Sequence, residues 1–135
     1  MRAPLLRALV IGLAPATAVT AVSCKKVPYT GRRQFNLIPK SIMHPLGAQT
    51  YTQMLAGKPV ARRGSSHRVL NRVGDRISRV AHQPSFDWAY SLIEEPTINA
   101  WCLPGGKIGF YSGILPVLEN ESGMAFVMGH EVGHA

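Results

Sequence analysis

The sequence predicts an α+β domain, mainly helical, with a short antiparallel β-sheet or hairpin. Three observations carry that expectation. Apolar residues recur at helical spacing across residues 67–82, residues 86–92 and 107–112 have the period of strands, and a second helix can start at Asn120. A length of 135 residues allows one domain with an appendage. Apolar residues at 46% and charged residues at 16% exclude a disordered tail, and two cysteines exclude a disulfide-rich scaffold or a four-cysteine zinc site. The net charge of +8 is unevenly spread. Residues 1–80 carry fourteen Lys and Arg against Asp75 alone, whereas residues 81–135 carry Lys107 against six acids.

Taken in order, residues 1–23 read as an export signal. Arg2 and Arg7 precede an uncharged, mostly apolar run at residues 8–22. That run is shorter than the roughly 20 residues a spanning helix needs, and Pro15 interrupts it. Two cleavage chemistries remain open. Ala16-Thr17-Ala18 fits an ordinary signal peptidase, and Ala21-Val22-Ser23-Cys24 resembles a bacterial lipobox with Ala21 where Leu is commonest. In the second case Cys24 becomes the acylated first residue and a lipid anchor on a membrane. Lys25, Lys26, Arg32 and Arg33 would then lie near anionic headgroups. Lys25 is not an acidic retention signal, so the outer membrane is the favoured destination.

Residues 24–40, with Pro28, Gly31 and Pro39, are an extended membrane-proximal lead-in, and the domain proper occupies residues 41–135. Residues 41–56 form a weak helix with Met43, Leu46, Tyr51 and Leu55 as its stripe. Ser65 or Ser66 caps the next helix, whose buried stripe is Val69, Val73, Ile77 and Val80. A parallel row of Arg68, Arg72, Arg76 and Arg79 is read as a solvated or acid-paired face. No aromatic residues interleave it to stack bases, so nucleic acid is not an expected partner.

Phe86 to Leu92 should be a half-buried strand ended by Glu94-Glu95-Pro96. Residues 99–106 read as a turn-rich connection with Pro104-Gly105-Gly106 at its tip. A second strand follows, with Ile108 and Phe110 on one face. Cys102 reads as a small buried apolar side chain. His44, His67 and His82 have no partner pattern and are expected at the surface.

Asn120 caps the last helix, Glu121 suits its positive end, and Met124, Val127, Met128 and Val132 form its apolar face. His130-Glu131-Val132-Gly133-His134 lies on that helix. Four residues advance about 400°, so His130 and His134 project from one side and can both reach one zinc ion at about 2.0–2.1 Å. Glu131 lies between them, placed to take a proton from an attacking water rather than to ligate.

With these residues in view, the chain resembles the zinc metallopeptidases of family 48 (the HtpX, CAAX prenyl endopeptidase and Oma-type enzymes of the gluzincin clan), and among them the bacterial lipoprotein branch. The resemblance runs through nearly all of residues 24–135. It is carried by Val27-Pro28-Tyr29-Thr30-Gly31-Arg32-Arg33-Gln34, Asn99-Ala100-Trp101-Cys102-Leu103-Pro104-Gly105-Gly106-Lys107-Ile108, Tyr111-Ser112-Gly113-Ile114-Leu115-Pro116 and Gly129-His130-Glu131-Val132-Gly133-His134-Ala135.

The resemblance implies a zincin-like fold, zinc on His130 and His134, and Glu131 as general base. It also implies that the strand of Lys107, Ile108, Gly109, Phe110 and Tyr111 borders the cleft, where an extended peptide would add to its edge. The family's third ligand is a glutamate on a later helix, which this chain does not contain. The expectation is therefore the N-terminal part of an envelope metalloendopeptidase, facing the periplasm, acting on misfolded or misassembled proteins, and inactive as the 135 residues stand. The alternative is a non-catalytic, truncated envelope lipoprotein that binds partners or clients.

Overall fold

A computed structural model describes residues 24–26, 33–35 and 38–135. The export signal at residues 1–23 and the side chain of Cys24 lie outside the described residues. The chain divides at Leu37 into two units. In the first, the backbone forms two short strands, β1 (Cys24–Lys26) and β2 (Arg33–Phe35), paired antiparallel with Cys24 opposite Phe35 and Lys26 opposite Arg33. The expected extended lead-in thus contains a strand pair.

The second unit runs α1 (Lys40–Leu55), β3 (Val60–Ala61), α2 (Ser65–Val80), β4 (Ala89–Ile93), β5 (Ala100–Leu103), β6 (Lys107–Tyr111), a 3₁₀ turn (Ser112–Ile114), α3 (Leu115–Leu118) and α4 (Glu121–His134). Helices and a small sheet in one unit are the α+β class that the sequence predicts. The four strands stand in the order β3-β4-β6-β5. β6 forms an antiparallel hairpin with β5, which lies in the segment expected to be a connection, whereas the two expected strands, β4 and β6, pair in parallel, so the sheet is mixed.

Side-chain alternation along the strands sorts the helices into layers. Ser91 and Trp101 point to one face, where Tyr51 of α1 shares a 2.6 Å hydrogen bond with the Ser91 hydroxyl and meets the Trp101 ring edge-on at 5.9 Å. Their neighbours Tyr90 and Cys102 point to the other face, where Tyr90 lies against Gly74 of α2 and Cys102 lies near α4. Ile108 and Phe110 also face that layer and are fully buried with Leu70 of α2 and Met128 of α4.

Two predicted stripes are corrected by this packing. In α1, Leu46 is 52% exposed and Gly47 is the buried residue, because the helix touches the hairpin tip through Gly47 and the Pro104 carbonyl. In α2, Val80 is 62% exposed, while Leu70 and Gly74 take the burial expected of it. Gly64, not a serine, precedes α2, and no side chain caps that end. The strand expected from Phe86 begins only at Ala89. Asp87 instead turns its carboxylate to Lys107, whose amine is otherwise buried, at 2.7 Å.

Two outcomes follow from these contacts. An alanine in a helix ordinarily stabilises it by about 1 kcal/mol over glycine. At Gly47 the added methyl would collide with the Pro104 carbonyl oxygen, so Gly47→Ala should destabilise by about 1–3 kcal/mol in urea unfolding. The Lys107 amine holds the Asp87 carboxyl below its ordinary value of 3.8. A lowered carboxyl value adds stability that is present well above 3.8 and is lost as the pH falls through it. Acid unfolding followed by circular dichroism should therefore begin at higher pH for wild type relative to its own neutral stability than for Asp87→Asn.

Candidate active site

The site is built on α4, and α4 is set by its first turn. The Asn120 side chain accepts hydrogen bonds from the backbone N–H groups of Ser122 at 2.9 Å and Gly123 at 3.2 Å, as the sequence predicts. Glu121 accepts hydrogen bonds from Arg72 of α2, which draws its carboxyl below the ordinary range. One arginine of the basic row is thus paired with an acid from another helix, whereas Arg68, Arg76 and Arg79 are exposed. Met124 and Met128 are buried in the core, with Val127 and Val132 packed beside it.

Helical geometry then places the motif. At about 100° per residue, Glu131 lies close to the line of Met124 and Met128, facing the sheet, and His130 and His134 occupy an adjacent flank. The two histidines are exposed, and their Nε2 atoms converge to 3.1 Å with the rings edge-to-face. Two nitrogens bound to one tetrahedral zinc lie about 3.4 Å apart, so the pair fits two ligand positions of one ion. Neutral imidazole is also a donor that zinc prefers. Among the described residues, no third His, Cys, Asp or Glu joins them.

Glu131 is half-buried and its charge is felt by Cys102 on β5. Burial chiefly, and the Glu131 carboxylate secondarily, push the Cys102 thiol up to about 12. Cys102 therefore behaves as the apolar side chain the sequence predicts, and its Sγ lies 3.6 Å from the Leu103 carbonyl. Its more informative role is as a marker: it places Glu131 beside β5.

That placement corrects one expectation. Lys107, Ile108, Gly109, Phe110 and Tyr111 do not form an edge, because β6 is paired with β4 on one side and β5 on the other. In this sheet the open edge next to α4 belongs to β5. The Asn99 carbonyl accepts from Tyr111 N–H at 3.1 Å, so alternation turns the backbone groups of Trp101 and Leu103 toward β6 and those of Ala100 and Cys102 outward. The Asn99 side chain already accepts the Ala100 N–H at 2.9 Å.

β5 was hidden because Asn99 and Pro104-Gly105-Gly106 have turn chemistry at both its ends. Gly105 and Gly106, with φ of 88° and 81°, do form the tight tip. Alternation across Ala100-Trp101-Cys102-Leu103 was the available signal. The remaining histidines stand apart from this site. His44 meets the Phe86 ring edge-to-face at 5.3 Å, His67 is 3.2 Å from the Asn71 amide and His82 is exposed.

A His-Glu-x-x-His helix laid against the open edge of a small sheet is the layout of a metallopeptidase domain. The sequence profile of peptidase family M48 matches residues 65–135, and the chain belongs to that family. The mitochondrial metalloendopeptidase OMA1 of Schizosaccharomyces pombe is 32% identical over 111 residues, covering 80% of this chain and 33% of its own length. OMA1 of Arabidopsis thaliana is 42% identical over 55 residues, 41% of this chain and 11% of its own. A putative beta-barrel assembly-enhancing protease of Vibrio cholerae is 28% identical over 85 residues, 62% of this chain and 18% of its own. The chain spans a third or less of the length of these relatives.

The half-buried thiol gives a direct check. In a Cys24→Ser background, native Cys102 should react with Ellman's reagent at pH 8 slower than in urea by on the order of a hundredfold or more. An unfolded thiol ionises above its ordinary value of 9.0, while the folded one keeps its proton to about 12. Stability should accordingly fall as the pH rises from 9.0, and Cys102→Ala should flatten that decline in thermal unfolding.

Proposed function

We propose that the protein is a zinc-dependent metalloendopeptidase of the bacterial envelope that hydrolyses peptide bonds in misfolded or misassembled envelope proteins. The observation that carries this reading is the convergence of the His130 and His134 Nε2 atoms at 3.1 Å on a helix whose Glu131 faces β5. Membership of family M48 and the endopeptidase and protease names of its relatives support it.

In this reading, His130 and His134 hold the zinc, which when bound supplies Lewis-acid polarisation of the scissile carbonyl. The substrate lies extended along β5, exchanging main-chain hydrogen bonds with the outward carbonyl of Ala100 and the outward N–H and carbonyl of Cys102. Glu131 takes a proton from the attacking water and delivers it to the departing amine nitrogen. Its position beside the half-buried Cys102 keeps one side of the carboxylate against protein rather than solvent. Acyl chains on Cys24 anchor the protein to a membrane, with the basic residues that follow near the headgroups.

A second reading, a non-catalytic envelope lipoprotein that binds clients, draws on one observation. The described residues supply two metal donors where catalytic zinc sites ordinarily have three.

Zinc content and casein hydrolysis, measured on the full product of the gene, separate the two readings. Glu131→Gln should keep the zinc and lower kcat/KM by about 10²–10⁴. His130→Ala and His134→Ala should each lose both zinc and activity. Undiminished cleavage by Glu131→Gln would refute the assigned base, and absence of stoichiometric zinc with no cleavage would favour the second reading. Cells fed radiolabelled palmitate should label the wild type and not Cys24→Ser.

A further inference from the structure

We propose that a hollow between the end of α2 and the segment before β4 binds the C-terminal residue of a peptide chain. The terminal carboxylate sits on Arg79 and His82, and the last side chain lies on the Phe86 and Trp88 rings. This inference does not depend on the catalytic reading, because no residue of the hollow is assigned a part in the chemistry. The hollow measures about 490 Å³, the scale of a small ligand or a chain end rather than of a folded partner.

Its floor is aromatic and its rim is cationic. Phe86 and Trp88 are half-buried, with ring centroids 5.1 Å apart at 54°. Gly106 leaves room for both, since a Cβ there would lie 2.9 Å from Trp88 and 3.0 Å from Phe86. From α1, His44 meets the Phe86 ring at 5.3 Å and the Lys40 amine lies over it at 5.9 Å. Arg79 and His82 stand exposed on the rim. Among the described residues Arg79 makes no ion pair, although Asp75 precedes it by one turn. No Asp or Glu lines the hollow, and Asp87, between the two rings in sequence, turns its carboxylate to Lys107.

The end of α2 decides which kind of acid fits. His82, at φ 49°, turns the chain out of the helix, and Ala81 is the last of the described residues whose backbone N–H returns to α2. The carbonyls of Ser78 and Arg79, two residues that line the hollow, are thus left as acceptors at the negative end of the helix. A fatty acid would bring no donor to them. The last residue of a peptide brings an amide N–H for a carbonyl, a carboxylate for the guanidinium and a side chain for the rings.

Fluorescence anisotropy tests this on the full product of the gene, carrying Glu131→Gln so that the peptide is not cut. Gly-Ala-Ala-Phe with fluorescein on its N-terminus and a free carboxylate should bind saturably, with a Kd of about 100 μM or tighter. Its C-terminal amide should bind about tenfold or more weakly, and a peptide ending in Ser about fivefold or more weakly. Arg79→Ala should weaken the acid by about tenfold or more and leave the amide unchanged. Arg76→Ala, on the same exposed row but outside the hollow, should change neither. Both arginines are exposed, so these variants keep the fold, which circular dichroism checks. The proposal is overturned if the acid shows no saturable binding, if the amide binds as tightly, or if Arg76→Ala and Arg79→Ala weaken the acid equally. It is also overturned if dodecanoate displaces the peptide at equal concentration, since a bare acyl carboxylate then suffices.

Discussion

Everything that positions the site depends on β6 being paired on both sides. A strand buried between two neighbours must present a shape to each face, and β6 does so by alternation. Gly109 has no side chain on the α1 face, and the Trp101 ring occupies the space a Cβ would need. Ile108 and Phe110, fully buried on the opposite face, make the apolar floor of the α2 and α4 layer. Met124 and Met128 of α4 join the same core. The angle at which α4 meets the sheet is therefore fixed by apolar side chains outside the His-Glu-x-x-His motif.

The uneven charge of the sequence has a structural counterpart. Two of the three ion pairs among the described residues join the basic half to the acidic half: Lys58 with Glu95 at 2.7 Å, and Arg72 with Glu121. Lys58 ties the loop before β3 to the end of β4, and Arg72 ties α2 to the first turn of α4. Both pairs are solvent-exposed, so their value lies in orientation more than in stability. The third pair is of another kind. Lys107 keeps its amine in a nearly buried position by handing it to the Asp87 carboxylate and backbone carbonyl, which draws the chain before β4 away from strand geometry.

These details explain which parts of the fold could be read from the sequence. α4 was legible in full, including its Asn120 cap, because capping and apolar periodicity are local and agree with one another. The existence of α1, α2, β4 and β6 was legible for the same reason. The faces of α1 and α2 were less so. Gly47 and Gly74 carry no hydrophobicity, yet they are buried because Pro104 and Tyr90 approach them closely, and such approaches are set by distant residues. β5 was obscured by the turn residues that bracket it. Strand order is a tertiary property, and so the open edge could not be assigned to β5 rather than β6 from alternation alone.

The motif itself shows why local pattern and tertiary position have to be combined. Spacing of four residues is enough to bring two imidazoles together, and the Nε2 separation of 3.1 Å follows from the helix alone. Spacing says nothing about which neighbour Glu131 meets. That is decided by the burial of Met124 and Met128, which rotates α4 until the residue just after His130 faces β5. A helix turned by one residue, about 100°, would leave both histidines able to chelate while pointing the carboxylate away from the edge where a peptide can lie. In the proposed mechanism, chelation is thus a property of the helix, whereas proton transfer to a strand-bound peptide would be a property of the helix and the sheet together.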